Sequence, residues 1–334
     1  MSRGHRSGSR ADEHDPVLEE RTGALVAAAG YGRTDPLVVG VQREGGPPVF
    51  AVRGRSAGPE AISARTVVYT ASLTKQVTAA CAALLVRQGR LDLESTLAAW
   101  LPELPPWAGE VRVRHLIFHT SGLPDVASYD DLERAGLDRT TAGVVEALRA
   151  CDRLEQKPGA EHRYSNAGYV CLGLVVARAA GLPFAAVVRE RVCRPLGLTR
   201  SCVWDGPAVA PPGAAPLNPP QPAPLSQGDG GFWSSAEDLL RWNLAMDRDA
   251  LGIATVVQTP GQLDDGTPLD YAWGLDVGEQ AGRRFYRHGG RWAGLSAQLV
   301  RVAGQASSVV VLALDDDEDR AAALTQRLIE ELAR

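Results

Sequence analysis

β-like runs lie at both ends of this chain, and a long stretch of helical pattern separates them. Residues 37–42 and 49–53 are valine-rich and flank the turn-forming Glu44-Gly45-Gly46-Pro47; residues 66–70 form another brief extended run. Residues 284–288, 295–302 and 308–314 return to β character before a closing helical segment at 318–332. Between 91 and 262 the apolar spacing is helical, clearest at 144–150, 167–180, 184–192 and 235–246, with no strand series. Such an order predicts an α+β fold. One antiparallel sheet is built from the two ends, flanked by an N-terminal helix (16–29) and the C-terminal helix, with an all-helical region inserted. The expected division is a discontinuous α/β sheet domain, 16–90 with 263–334, and a helical domain, 91–262. Residues 1–15 are polar and charged and are expected to be disordered. A helix from Ser72 to near Gly89 carries Leu73, Val77, Ala80, Cys81, Leu84 and Leu85 on a broad apolar face.

Residues 205–227 hold eight prolines and can form neither a helix nor a central strand. Two readings stay open for this loop: a disordered insert, or a semi-rigid loop that shapes a site.

Composition removes several function classes. A net charge of −5 with no basic stripe argues against a nucleic-acid partner. The first 20 residues contain no apolar core of a secretory signal, and no run of about 18 apolar residues suggests a membrane span. The five cysteines form no C-x-x-C pair and sit mostly in apolar stretches, which suits a reducing compartment. The expectation is a cytoplasmic protein acting on a small molecule, with its oligomeric state left open. His115 and His119 are spaced i, i+4, but position 116 is Leu where a zinc protease helix needs Glu, and no third ligand is evident. A structural role is expected for both, with no metal and no organic cofactor.

Only Lys75 and Lys157 are lysines among 35 basic side chains. Arg stays protonated in proteins, whereas Lys can be tuned toward neutrality. Lys75 stands in Ser72-Leu73-Thr74-Lys75, one helical turn after a serine that opens a helix. A neutral amine there can accept a serine's proton; the plain alternative is a helix cap. Tyr164-Ser165-Asn166 precedes another helix. It offers a phenol that a nearby ammonium can ionise and an amide that can donate and accept, or else a capping turn. His288-Gly289-Gly290, ahead of Arg291-Trp292, permits close backbone approach to a ligand, with a backbone N–H available to pair with that of Ser72 as an oxyanion hole.

Taken together and in this order, the three motifs resemble the serine β-lactamase and penicillin-binding-protein superfamily. The resemblance is to the branch of class C β-lactamases, D-alanyl-D-alanine carboxypeptidases and esterases, which reads S-x-x-K, Y-x-N, then K-T-G or H-x-G. Residues 115–123 (His-Leu-Ile-Phe-His-Thr-Ser-Gly-Leu), Lys157-Pro158-Gly159, Pro195-Leu196-Gly197-Leu198 and the run 230–239 resemble further signatures of that branch. The resemblance implies a β-lactamase/transpeptidase-like fold from about Pro16 to the C-terminus. It implies Ser72 as nucleophile, Lys75 as its activating partner and Tyr164 as general base and then acid. Asn166 would position substrate, and the backbone N–H groups of Ser72 and Arg291 would form the oxyanion hole beside Gly290. Which of Lys75 and Tyr164 takes the first proton stays open.

His288 stands where β-lactamases carry Lys, and Gly289 replaces the usual Thr. An imidazole is mostly neutral near pH 7. The departure points away from penicillin hydrolysis and carboxylate recognition, and toward the esterases, D-amino-acid amidases and aminopeptidases, and acyl transferases that carry H-x-G. The expected activity is hydrolysis of a small ester or amide through an acyl-Ser72 intermediate. An acyltransferase is the first alternative, because Trp233, Trp273, Trp292 and the proline-rich loop could wall off water. A catalytically silent binding domain is the second, but it predicts loss of the reactive groups. An α/β-hydrolase needs G-x-S-x-G, and Gly294-Leu295-Ser296-Ala297-Gln298 lacks the final glycine.

Overall fold

A computed structural model describes residues 15–56, 61–126, 129–206, 209–217, 222–280 and 282–332. The expectation of disorder falls outside these residues except at Asp15, which caps the first helix, α1 (Pro16–Ala28), by accepting a hydrogen bond from the Leu18 N–H at 2.9 Å.

The two ends of the chain meet in one six-stranded antiparallel sheet. Its strands are β1 (Leu37–Gln42), β2 (Val49–Arg53), β6 (Asp276–Gln280), β7 (Arg283–Trp292), β8 (Leu295–Val302) and β9 (Ser307–Ala313), in the order β2-β1-β9-β8-β7-β6. All neighbours run antiparallel, and β1 joins the N-terminal hairpin to β9 through six residue pairs, from Leu37↔Ala313 to Gln42↔Ser308. Successive side chains of a strand point to opposite faces, so each strand feeds two cores. Leu37, Val39 and Val41 of β1 pack with Val309, Val311 and Ala313 of β9 under α1 and the last helix, α5 (Glu318–Leu332). Val38, Val310 and Leu312 face the larger core on the other side. Because both faces are covered, β1 and β9 are buried throughout, which accounts for their near-continuous apolar sequence.

The larger core is organised around α2 (Thr74–Arg87), of which every residue from Thr74 to Leu85 is buried. Its polar Thr74, Lys75, Gln76 and Thr78 are buried along with its apolar face. The small Ala79, Ala80, Ala82 and Ala83 let neighbours approach closely, among them α3 (Asn166–Ala180). The helix α4 (Ala236–Asp247) lies against β1 and β9.

Three features differ from the sequence reading. A second sheet, β3 (Val68–Tyr69), β4 (Cys202–Val203) and β5 (Phe232–Ser234) in the order β3-β5-β4, crosses the region expected to be all-helical. Strands of two or three residues are too short to show a period of two. The edge strand β6 went unread, and β7 continues four residues past the expected end because its glycines mask its β character. In the proline-rich loop the described residues are anchored: Ala215, Leu217 and Ala223 are buried in the core, and Leu225 N–H donates to Arg139 O at 2.9 Å. Among the described residues, no single helix is long and apolar enough to cross a membrane.

Gly40 tests the two-sided burial of β1. A Cβ there would meet Val310, Leu240 and Phe50 side chains at 2.8–2.9 Å. Gly40→Ala should therefore destabilise the fold by about 1–3 kcal/mol through overpacking, read from the midpoint of urea unfolding. An unchanged midpoint would show that the centre of the sheet has slack.

Candidate active site

The segment that carries Ser72 is a tight turn between β3 and α2, residues Ala71–Leu73 forming a single 3₁₀ turn. Hydrogen bonds hold it from several sides. Thr70 donates both its N–H (3.1 Å) and its hydroxyl (2.7 Å) to Phe232 O, and the Thr74 hydroxyl donates to Ala71 O at 2.6 Å. Phe232 N–H donates back to Thr74 Oγ1 at 3.2 Å. Ala71 sits at φ +46°, a left-handed conformation that an L side chain rarely adopts and that surrounding contacts must enforce. Ser72 makes no capping hydrogen bond, so the plain reading of this serine as a helix cap fails.

Lys75 lies one turn on and is completely buried. Its Nζ is 3.1 Å from Ser72 Oγ, 2.8 Å from Asn166 Oδ1 and 3.0 Å from Asp229 O. These partners come from three separate parts of the chain. Asn166 is available because Ser165 takes the capping role for α3, its Oγ accepting from Gly168 N–H at 3.0 Å. The capping role of Tyr164-Ser165-Asn166 thus falls on Ser165, and the Asn166 side chain is left to Lys75. Tyr164, 42% exposed, presents its ring to Lys75 with Nζ 4.8 Å from the centroid.

The strand β7 forms the opposite wall. Its pairing with β6 ends at Arg287↔Asp276, so from His288 onward that edge faces the Ser72 turn instead of a strand. The approach is close enough to require glycine at 290: a Cβ there would lie 2.3 Å from Thr70 O. The adjacent Arg291 backbone is thereby brought to the turn, while its side chain points outward to Glu318 at 3.5 Å. Trp292 donates from Nε1 to Pro222 O at 3.1 Å, tying the proline-rich loop to this wall. Trp233 and Trp273 instead pack in the core, against Tyr69 (5.3 Å between centroids) and Phe118 (6.1 Å).

His288 is buried, and both ring nitrogens are engaged within the protein: Nδ1 with Gly289 O at 2.6 Å and Nε2 with the Tyr271 hydroxyl at 3.3 Å. Burial, aided by the nearby Lys75 charge, pushes its pKa down to about 3. The substrate-binding role expected for this imidazole therefore has no free nitrogen to act through.

Three further buried groups lie beside Ser72, Lys75 and Tyr164, and none was assigned a role in the site from the sequence. His119, also with positive φ (+55°), accepts from Ser165 N–H at 3.0 Å through Nδ1 and lies 4.4 Å from the Tyr164 ring. Burial holds its pKa well below the usual imidazole range, with Lys75 adding to the effect. Tyr271 reaches the site from a loop pressed against α2 by Gly274, whose Cβ would lie 2.6 Å from the Lys75 carbonyl. Asp229 is fully buried near Lys75; burial raises its carboxyl pKa and the lysine charge opposes that rise. For His119, the run 115–123 was a signal; Tyr271 and Asp229 are single residues in irregular segments, without a pattern to flag them. His115 and His119 do not converge, since His115 Nδ1 accepts from Arg112 N–H at 3.1 Å, away from the Ser165 and Tyr271 contacts of His119.

Glycine substitutions separate close approach from mere flexibility along β7. Gly290→Ala should lower stability by about 1–3 kcal/mol, because a backbone carbonyl cannot yield as a side chain can. Gly289→Ala, whose Cβ would meet only the Gln298 side-chain amide at 3.1 Å, should have the smaller effect. Equal urea midpoints for the two variants would mean that β7 does not press on the Ser72 turn.

Known proteins are similar to this chain in sequence and in fold. Residues 23–334 match the family model described as beta-lactamase. The chain is 26% identical over 278 residues to penicillin-binding protein 4* of Bacillus subtilis, covering 74% of this chain and 60% of that protein. It is 37% identical over 179 residues to the esterase EstB of Burkholderia gladioli, covering 49% and 45% respectively. The chain thus spans about half the length of the relatives it matches in sequence. In fold, it superposes on the D-amino acid amidase of Ochrobactrum anthropi SV3 with a TM-score of 0.78 at 17% identity, covering 95% of this chain and 100% of that one. The penicillin-binding protein of Bacillus halodurans gives 0.76 at 23% identity, covering 92% and 98%.

Proposed function

Because the chain belongs to the beta-lactamase family, we propose that it is a serine hydrolase that cleaves a small, neutral ester or amide through an acyl-Ser72 intermediate. One observation carries this reading: Lys75 Nζ is held 3.1 Å from Ser72 Oγ by two acceptors that cannot donate. Asn166 Oδ1 and Asp229 O each take one N–H. The third direction, toward Ser72, then admits two states. An ammonium donates to Oγ; a neutral amine presents its lone pair and receives the Oγ proton. Proton transfer between Ser72 and Lys75 thus needs no rearrangement of heavy atoms.

In the acylation step Ser72 Oγ attacks the substrate carbonyl carbon as its proton passes to Lys75 or Tyr164. Negative charge developing on the carbonyl oxygen is met by the backbone N–H groups of Ser72 and Arg291. Collapse expels the alcohol or amine, which takes the proton back from Tyr164. Water then repeats the sequence on the acyl-enzyme and releases the acid. Asn166 keeps Lys75 in place and offers its amide N–H₂ to the substrate.

A neutral substrate is supported by the lack of a free cation at position 288, where the imidazole is buried, neutral and fully hydrogen-bonded. The relatives in sequence include an esterase and D-aminopeptidases, which is consistent with ester and amide chemistry.

A fluorophosphonate probe followed by intact mass spectrometry tests the proposal. The expected result is one adduct, mapped to Ser72 and abolished in Ser72→Ala. Lys75→Ala should slow p-nitrophenyl ester hydrolysis by about 10²–10⁴-fold. No adduct on the folded protein, or an adduct on another residue, would refute the mechanism. Adding amine or alcohol acceptors to the same assay separates hydrolysis from acyl transfer: hydrolysis predicts unaltered turnover and no aminolysis or alcoholysis product.

A further inference from the structure

We propose that Tyr271 is a positioning residue: its hydroxyl links His119 and His288 in a hydrogen-bond relay of fixed direction that holds the Tyr164 segment and the β7 wall in register. The kinetic consequence rests on the hydrolase reading of Ser72; the relay itself does not.

The direction follows from the ends. Ser165 N–H can only donate, and it points at His119 Nδ1 at 3.0 Å, so that nitrogen carries no proton. The neutral ring must then bear its proton on Nε2, which is 3.1 Å from the Tyr271 oxygen and donates to it. At the other end Gly289 O can only accept, and it lies 2.6 Å from His288 Nδ1, so this nitrogen carries the proton. His288 Nε2 is left as an acceptor, 3.3 Å from the Tyr271 oxygen. The single proton of Tyr271 therefore goes to His288. Tyr169 also hydrogen-bonds Tyr271: having sent its own proton to Ile117 O at 2.9 Å, its oxygen is a second acceptor that shares the Tyr271 proton with His288. The two ends fix the sense of the series, which runs from Ser165 N–H through His119, Tyr271 and His288 to Gly289 O.

The surroundings keep both imidazoles uncharged. Lys75 of α2 approaches from one side, His162 and Tyr164 from the segment before α3, Tyr169 from α3 and Asp276 from β6. Lys75 opposes a second positive charge, and no carboxylate hydrogen-bonds to either ring among the described residues. A proton added to His119 would set Nδ1–H against Ser165 N–H, and one added to His288 would set Nε2–H against the Tyr271 O–H. Protonation at either point breaks the series.

The relay spans the site. At one end His119 is bonded to the backbone between Tyr164 and Asn166 and stacks on the Tyr164 ring. At the other, His288 grips the peptide next to Gly290, which in turn rests on Thr70 beside Ser72. Losing the Tyr271 hydroxyl would leave both groups uncoupled without removing any group that touches substrate.

The test has two arms. Long-range ¹H–¹⁵N correlation of the histidine rings in the unmodified protein should find the Nε2–H tautomer at His119 and the Nδ1–H tautomer at His288, with neither titrating between pH 5 and 8. A titration in that range, or the opposite tautomer at either ring, overturns the relay whether or not Ser72 reacts with a fluorophosphonate. In the second arm, Tyr271→Phe should keep the wild-type unfolding midpoint within a few degrees and still take the probe at Ser72. Its kcat should fall about tenfold to a hundredfold with KM nearly unchanged, and the tautomer at His288 should no longer be fixed. A kcat within twofold of wild type in the folded variant would overturn the positioning role. A wild-type protein that takes no probe would sink the hydrolase reading alone, with the tautomers still deciding the relay.

Discussion

A lysine ammonium has three N–H groups, and burying one without three acceptors is costly. Lys75 Nζ has its three from Ser72, Asn166 and Asp229, which lie 3, 91 and 154 residues away in the chain. That requirement ties the start of α2, the start of α3 and the loop before β5 to one point. Neither carbonyl acceptor can turn away without leaving a buried donor unpaired. The same closure that stabilises the amine therefore fixes its distance to the serine hydroxyl. Stability and preorganisation of the site come from one set of contacts.

The sheet contributes the second wall through backbone shape. From His288 onward β7 has outrun β6 and would present an open edge. Open edges are usually covered or paired; here the Ser72 turn covers it, at a distance only glycine permits. Two residues beside the site, Ala71 and His119, are held in the left-handed region. Residues in such conformations persist where neighbours over-determine them. The hydrogen bonds of Thr70 and Thr74 to Phe232, and that of His119 to Ser165, supply the restraint.

Much of this was legible in the sequence for identifiable reasons. The strands β1, β2 and β8 coincide with the expected runs, and in β1 burial on two faces leaves a near-continuous apolar signal. Ser72, Lys75, Tyr164 and Asn166 were legible because helix starts fix spacing, and three motifs in one order are hard to produce by chance. What escaped was set by tertiary packing. The strands β4 and β5 are held by pairing and not by propensity, and β7 hides behind the glycines its approach to Ser72 demands. Tyr271 and Asp229 enter the site from loops whose course no local periodicity encodes. His288 was legible only in part. Its residue type and position were readable, but the two acceptor and donor partners that consume its nitrogens were not.

The charge inventory gives the site its chemical preference. Lys75 is the sole lysine in the core, and its N–H groups are already directed at protein acceptors. The imidazole at 288, where a fixed cation would sit in a β-lactamase, is locked neutral by burial and by its two hydrogen bonds. The arginines at the rim are engaged as well, Arg139 with Glu133 at 2.9 Å and Arg291 with Glu318 at 3.5 Å. An anionic substrate entering this cleft would lose water without gaining a dedicated counter-charge, and the buried Asp229 would oppose it whenever ionised. A neutral acyl group meets no such penalty. In the proposed mechanism, negative charge developing on the carbonyl oxygen during attack would lie between the backbone N–H groups of Ser72 and Arg291, fixed dipoles that can meet it. On that proposal the arrangement disfavours charge in the ground state and accommodates it in the transition state, which is the difference a catalyst needs.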